Sequence, residues 1–501
     1  MLGSRLILRW WIRSAATTPI TTESTSSRAM WRLFQASISA LVRRGNGRWR
    51  ARFRAWQKKK LLNKNFPNMV QDKELHYRSK EEIRLFQEVR LRETIAYVAD
   101  RSAFYRRLFE EHHIDPASIR TLEDLKRLPL TSKEDLQLHG EEFVCVEKRA
   151  IIDYVTTSGT LGDPVTFALT EGDLERLAYN EACSFHMAGC TEEDVMQLMT
   201  TIDRRFMAGL AYFLGARKLG CGVVRVGNGI PELQWDTIRR VGSTACMVVP
   251  SFLMKLIEFA EKSGFDPNRS TLRKAICIGE TLRTPDGALT KLAEKISARW
   301  PQLELYSTYA STEMQSSFTE CAYHAGGHIP ADLIIVELLD ENGAPVAAGE
   351  AGEVTITTLG VEGMPLVRFR TGDMCVMYDE PCRCGRHTAR LSGVIGRKGQ
   401  MIKFKGTTLY PPALFDILDN IPQVENYIVE VFTNALGTDQ IQIKIGSENH
   451  SESFIKEIKD IFRSKVRVAP DIRFEPAELI AKQQMPPMSR KVVKFFDLRN
   501  R

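Results

Sequence analysis

Acidic side chains are almost missing from the start of this chain: residues 1–68 hold fifteen Lys and Arg against a single carboxylate, Glu23. No uninterrupted apolar run approaches the length of a bilayer-spanning helix, so no transmembrane segment is expected. Arginines break up the stretch Leu6–Ile12, so a secretory signal is not expected either. Ten cysteines in 501 residues are too sparse for a disulfide scaffold. Most sit in apolar strings such as Ala245–Val249, where Cys acts as a small core residue, and a reducing, cytoplasmic compartment is the expectation. Internal repeats are absent, and so are low-complexity tracts beyond the leader. What is present is 43% apolar and 26% charged residues, which excludes a disordered chain and a collagen. The net charge of +7 divides into +14 for residues 1–68 and −7 for the remainder. The basic character belongs to the leader, and no nucleic-acid partner is expected for the body.

The leader supports three readings. Met30, Phe34, Ile38, Leu41 and Val42 lie at helical spacing, and arginines occupy positions 48, 50, 52 and 54. That composition suits an organelle-targeting segment or an arm for membranes or nucleic acid. The third reading starts the protein at Met69, where patterned, mixed-charge sequence begins, and leaves residues 1–68 as a disordered or non-native appendage.

In the body, Ile83, Phe86, Leu91, Ile95 and Val98 predict helix over Glu81–Glu111. Helical and strand-like signals then alternate, with helices over Leu174–Met187, Met207–Leu219, Phe252–Lys262 and Pro285–Trp300. Short β-branched runs lie between them at Val195–Met199, Gly222–Val226, Thr244–Val249, Lys274–Ile278 and Glu304–Tyr306. This alternation predicts a layered α/β domain. A β-rich stretch follows, with strands near Leu333–Leu339, Gly352–Thr358 and Met374–Met377. After Gly396-Arg397 the pattern restarts as a small α+β unit: helix Pro411–Asp419, strands Asn426–Thr433 and Asp439–Ile445, helix Glu452–Val466, strand Asp471–Glu475.

Thr156-Thr157-Ser158-Gly159-Thr160-Leu161-Gly162-Asp163-Pro164 lies between two strand-like runs and offers hydroxyls and open backbone N–H groups, which phosphate oxygens need. The Gly-Lys-Ser/Thr of a Walker loop and the Rossmann fingerprint are both missing. Further along come Tyr309-Ala310-Ser311-Thr312-Glu313, Arg368-Phe369-Arg370-Thr371-Gly372-Asp373, Gly396-Arg397 and Ser489-Arg490-Lys491 through Asp497.

This ordered set resembles the adenylate-forming ligases, closest to the phenylacetate–CoA ligase branch, over essentially all of residues 69–501. The resemblance implies a large multi-subdomain adenylate-forming domain, 69–397, with parallel sheets and a β-rich part. A small mobile α+β lid, 398–501, would follow it. The activity implied is that of an AMP-forming acid–thiol ligase: an aryl acid is activated with ATP and Mg2+, then passed to coenzyme A. Thr157, Ser158, Gly159, Thr160 and Gly162 would hold the β- and γ-phosphates, and Gly279-Glu280 would pack along adenine. Tyr309 would border the adenine, Thr312 would contact phosphate and Glu313 would bind Mg2+. Asp373 would accept hydrogen bonds from the ribose hydroxyls, with Arg397 at the ribose and the hinge. Lys491, six positions before Asp497 as in the family pattern, would bridge the attacking carboxylate and the α-phosphate, and is preferred to Lys494. Gly406 belongs to the loop lining the thiol's path.

Cys321, His328, Cys382 and Cys384 match a zinc site found in members of that branch, with His324 as the rival imidazole. Four protein ligands leave no open position, so the role would be structural. The chain also departs from the family. Leu161 and Asp163 replace a hydroxyl residue and a lysine in the phosphate loop, and Gly399-Gln400 replace acids at the hinge. Two alternatives stand beside the ligase: an enzyme loading a carrier-protein or enzyme thiol, and a catalytically weakened, zinc-stabilised binding protein. A homodimer fits the resemblance.

Overall fold

The computed structural model describes residues 71–72, 74–157, 164–404, 407–434, 439–485 and 492–499, which fall in one unit, Met69–Arg501. Helix Lys80–Arg101 starts at a capping box in which Ser79 and Glu82 satisfy each other's backbone N–H groups. The single helix expected over Glu81–Glu111 is in fact two. Ser102 ends the first and caps the second, accepting from the Tyr105 N–H and donating to Glu142 O at 2.9 Å. The break aims Phe104 and Tyr105 at Phe143, with the Phe104 and Phe143 rings stacked at 4.0 Å.

Strands β1 (Ile151–Thr156) and β2 (Thr166–Thr170) form an antiparallel ribbon. Strands β3 (Val195–Leu198), β4 (Gly222–Arg225), β5 (Ala245–Val248), β6 (Lys274–Cys277) and β7 (Glu304–Ser311) are parallel neighbours in the order β4-β3-β5-β6-β7. Successive residues face opposite layers. Cys246, Val248, Ala275 and Cys277 pack with Trp235, Trp300 and the helices Pro231–Val241, Pro250–Lys262 and Lys291–Arg299. Ala245, Met247 and Ile276 pack with Phe185 and Tyr212 of the helices Glu171–Met187 and Met207–Leu219. Burial on both faces is why β3, β5 and β6 read as short continuous apolar runs.

The sheet then turns antiparallel through β8 (Ser316–Thr319), β9 (Gly327–His328), β10 (Ile334–Leu339), β11 (Ala351–Thr358), β12 (Phe369–Tyr378) and β13 (Arg390–Leu391), with β14 (Gly396–Arg397) paired to β12. The result is one twelve-stranded mixed sheet. Beyond it, β15 (Ile402–Phe404) and β16 (Thr407–Leu409) make a hairpin. Strands β17 (Asn426–Thr433), β18 (Asp439–Gly446), β19 (Asp471–Phe474) and β20 (Phe495–Asp497) form a four-stranded sheet, order β19-β18-β17-β20. This part has its own apolar core, including Leu414, Val429, Ile443, Ile458 and Phe462.

The helix expected over Pro285–Trp300 is shorter, Lys291–Arg299. Pro285, Asp286 and Gly287 (φ +86°) form a turn instead, closed by bridging of Arg283 and Leu289, because their chemistry favours a turn over the first helical turns. No helix of the described residues is long and apolar enough to cross a membrane.

Candidate active site and metal centre

The parallel strands change direction of succession beside β3, since β4 lies on one side of it and β5 on the other. In such sheets the carboxyl ends of the strands around the switch point frame a binding crevice. Gly279 and Glu280 come directly after the carboxyl end of β6. Gly279 has φ +77°, a left-handed turn that favours glycine. The Glu280 carboxylate accepts the Ser251 N–H at 2.8 Å, so it caps helix Pro250–Lys262.

Tyr309 lies near the end of β7, which runs past the expected Tyr306 to Ser311 and turns back as β8. Its hydroxyl donates to Asp373 Oδ2 at 2.8 Å, and its ring meets Phe318 edge-on at 5.7 Å. Burial first, and the Asp373 charge second, hold the phenol well above its usual range, so it stays a donor. Asp373 on β12 faces Arg397 on β14 across the backbone pairing, and Arg397 Nε lies 3.3 Å from Asp373 Oδ1. Tyr309 and Arg397, from two separate motifs, therefore share the Asp373 carboxylate. Tyr309 meets one of its oxygens and Arg397 the other.

Thr312 and Glu313 occupy the turn joining β7 to β8, both half-buried. Glu313 pairs with no cation among the described residues, leaving its charge available to one. Thr157 is buried where the expected phosphate loop begins. Its N–H donates to Val165 O at 3.0 Å, and its hydroxyl oxygen accepts the Val165 N–H at 3.0 Å. In this arrangement the Thr157 side chain closes the loop's stem. Ser158, Gly159, Thr160, Leu161, Gly162, Asp163, Gly406 and Lys491 lie outside the described residues. Lys494, the rival of Lys491, donates to the Tyr427 hydroxyl at 3.0 Å and sits 3.4 Å from Asp419 Oδ1, tied within the small sheet's layer.

A second cluster is built from three connections of the large sheet. Cys321 follows β8, His328 ends β9, and Cys382 and Cys384 lie between β12 and β13. Their ligand atoms all lie within 4.8 Å of one another. Cys321 Sγ to Cys382 Sγ is 3.7 Å, and Cys384 Sγ to His328 Nε2 is 3.5 Å. A tetrahedral ion with metal–sulfur bonds of about 2.3 Å and metal–nitrogen bonds of about 2.0–2.1 Å has edges of about 3.7 Å and 3.5 Å. The donor set and its spacing fit such an ion.

His328 Nδ1 meets Thr388 Oγ1 at 3.3 Å, which orients Nε2 toward the sulfurs. Burial, with Arg386 and Arg390 adding, pushes His328 down to about 3 and keeps the ring neutral. Burial pushes Cys321 up to about 12. Burial opposes ionisation at Cys384 too, yet hydrogen bonds from the Arg386 backbone and guanidinium, with Nη1 at 3.4 Å, hold its thiol below the ordinary range. His324 turns away at φ +50°, its Nδ1 3.3 Å from Glu320 Oε2. Thr388 carried no motif signal. Arg386 stood in the Cys-x-Cys-Gly-Arg run without a role that the run alone could assign.

Sequence reasoning also missed Arg176. Fully buried, it donates to Leu359 O at 2.9 Å, Leu333 O at 2.6 Å, Ser316 Oγ at 3.2 Å and Gln315 O. It thereby fixes the end of the turn that carries Thr312 and Glu313. An arginine within a helical pattern gives no such signal in one dimension.

The chain matches the family model described as AMP-binding enzyme over residues 11–363. It is 30% identical over 392 residues to a phenylacetate-coenzyme A ligase of Thermus thermophilus, covering 78% of this chain and 86% of that one. It is 26% identical to the phenylacetate-coenzyme A ligase of Escherichia coli, covering 84% and 96%. Among solved structures, a 2-hydroxyisobutyryl-CoA ligase in its postadenylation state superposes with a TM-score of 0.74 at 20% identity, covering 85% of this chain and 91% of that one.

Proposed function

This chain belongs to the AMP-binding enzyme family, and from that premise we propose that it is an AMP-forming acid–coenzyme A ligase acting on an aryl, phenylacetate-like acid. The observation that carries the reading to the site is the shared carboxylate of Asp373 with Tyr309 and Arg397. It lies near the carboxyl edge of the parallel sheet and suits the ribose of an adenine nucleotide. The substrate carboxylate attacks the α-phosphorus of ATP, forming an acyl-adenylate and releasing pyrophosphate. Bonding the carboxylate oxygen to the α-phosphorus turns that oxygen into part of an AMP leaving group and opens the carbonyl to attack. A thiol then adds to that carbonyl and expels AMP.

In this reading Thr157, Ser158, Gly159, Thr160 and Gly162 form the phosphate loop, with Thr157 closing its stem. Gly279, Glu280 and Tyr309 border the adenine. Thr312 contacts phosphate, and Glu313 would hold Mg2+, which neutralises phosphate charge. Lys491 bridges the two reacting groups, and Gly406 lines the thiol's path. The small domain from residue 398 turns about Gly399-Gln400 between the half-reactions. Cys321, His328, Cys382 and Cys384 hold a structural zinc.

The test is a panel of aryl and fatty acids assayed for acid-dependent ATP–pyrophosphate exchange and for thioester formation with and without CoA. We expect exchange with an aryl acid, thioester only when CoA is present, and loss of both in Lys491→Ala. No acid-dependent exchange across the panel overturns the ligase reading in favour of the weakened binding protein. Exchange without CoA thioester, but with acylation of a carrier-protein thiol, moves the acceptor to that alternative.

A further inference from the structure

Beneath the turn that carries Thr312 and Glu313 runs a strip of buried polar side chains. Strands β7 and β8 pair Ser311 with Ser316, Ala310 with Ser317 and Thr308 with Thr319. Cross-strand partners share a face, so Ala310, Ser317, Thr308 and Thr319 lie on the side opposite Tyr309 and Phe318. Helix Glu171–Met187 covers that side. The Ser317 N–H donates to Asn180 Oδ1 at 3.2 Å, and the Asn180 amide donates to Ser317 Oγ at 2.8 Å. Deeper down, Thr319 Oγ1 meets both Ser184 Oγ and Thr308 Oγ1, so that end of the strip satisfies itself.

The shallow end does not. Glu181 Oε1 accepts from the Asn180 amide at 3.0 Å, while Oε2 has no hydrogen-bond partner among the described residues. Gln315, fully buried and two residues before Ser317, leaves both its amide nitrogen and its amide oxygen without one. Helix Met207–Leu219, which starts beyond the carboxyl end of β3, passes on the remaining side. A Cβ at Gly215 would come within 2.3 Å of Glu181 Cβ, so the glycine is what lets this helix lie so close. Tyr212 of the same helix, 3% exposed, lies beside the carboxyl. Buried polar atoms of native folds find partners, so those left open by the chain itself suit a group brought from outside it.

We infer that Glu181 is a specificity-determining residue, selecting an aryl acid that carries a hydroxyl at the end remote from its carboxylate. This rests on the ligase reading and deepens it. The Ala310–Ser317 pair lies two residues below Thr312, about 7 Å along the strand. An arylacetate whose carboxylate sits at the Thr312 turn spans that depth with its ring. Burial pushes Glu181 up to about 8, so at pH 7 its carboxyl keeps the proton and can donate to a phenol as well as accept from it. An unsubstituted ring leaves Oε2 open, whereas a hydroxylated one pairs it. A site built around such a bond discriminates far better than an apolar pocket does.

The test measures ATP–pyrophosphate exchange with phenylacetate and with 4-hydroxyphenylacetate, and calorimetric binding of both acids. It compares the full-length protein with its Glu181→Leu and Glu181→Gln variants. The parent is expected to favour the hydroxylated acid by about 10- to 100-fold in kcat/KM. Glu181→Leu should bring that ratio to about one, and Glu181→Gln, whose amide still hydrogen-bonds, should keep it within about three-fold of the parent. Assaying both acids on one sample cancels any unfolded fraction. Should Glu181→Leu not fold, Ser317→Ala, which removes a neighbour of the carboxyl, is expected to lower the ratio several-fold. A parent ratio near one, or a ratio that Glu181→Leu leaves intact, overturns the inference and assigns Glu181 to packing and internal water alone. If neither acid supports exchange, yet the hydroxylated acid binds and Glu181→Leu weakens it, the ligase reading fails and the selectivity stands. Absence of both exchange and Glu181-dependent binding sinks the two together.

Discussion

Glu181 shows how a carboxyl outside the Tyr309–Asp373–Arg397 cluster shapes this protein. It sits on helix Glu171–Met187 at 4% exposure, beside Tyr212 and facing Ser317 of β8. One oxygen accepts from the Asn180 amide at 3.0 Å, and Oε2 has no hydrogen-bond partner among the described residues. Burial pushes its pKa up to about 8, against the lowering by Ser317 and Asn180. Between the unfolded value near 4.5 and about 8, the folded state holds a proton that the unfolded state has lost. Stability therefore falls as pH rises through that window. Glu181→Gln removes the ionisation, so it should stabilise the protein most at pH 8, on the order of 3 kcal/mol, and the gain should vanish toward pH 4.5. Urea midpoints across this range check it. A gain independent of pH would show that Glu181 is not the titrating group.

At the scale of elements, Arg176 ties helix Glu171–Met187 to the β7–β8 turn, to the start of β10 and to the end of β11 with neutral acceptors alone. Burial lowers its pKa to about 10, which still leaves it charged at neutral pH. Arg176→Met keeps most of the volume but takes their donor from the Leu359 and Gln315 carbonyls, while Leu333 O keeps the Leu359 N–H, so a loss on the order of 3 kcal/mol is expected. Catalysis should suffer too at temperatures where the variant remains folded, because Gln315 terminates the turn bearing Glu313. A urea midpoint within the equivalent of about 1 kcal/mol of the parent would contradict this account.

These elements also show where the sequence was legible. The central parallel strands β3, β5 and β6 were visible because both faces are buried, which writes a continuous apolar run. The Ser102 break was not, since Ser capping and helical spacing both fit Glu81–Glu111 until Phe143 decides the direction. Likewise, the run of β7 to Ser311 is set by pairing with β8, a non-local contact. Tyr309, Asp373 and Arg397 each stood out as motif members. Their convergence on one carboxylate depends on β12–β14 pairing.

Across the whole molecule, the cysteine–histidine cluster is a cross-link between parts far apart in sequence. It gathers the connection after β8, the strand β9 and the loop between β12 and β13, and the N-terminal segment is fastened over it. His387 N–H donates to His76 O at 2.8 Å, His387 Nδ1 meets Arg78 O at 2.9 Å, and the Arg386 guanidinium lies 5.0 Å from the centre of the Tyr77 ring. His76 in turn lies 3.5 Å from Asp332, which accepts the Tyr179 hydroxyl at 2.7 Å. A metal bound by the four ligands would hold this chain of contacts in register, and its binding energy would be folding energy. The purified protein is expected to contain about one zinc per chain. Removing it with a strong chelator should lower the melting temperature on the order of 5 °C. Cys384→Ser should lower zinc content and melting temperature together, and zinc should not restore it. None of the four ligands belongs to the proposed nucleotide site, so ATP–pyrophosphate exchange should persist in the chelated enzyme below its new melting temperature. Well under one zinc per chain, with chelator leaving the melting temperature unchanged, would mean that the four residues are reduced thiols and a neutral imidazole packed without an ion.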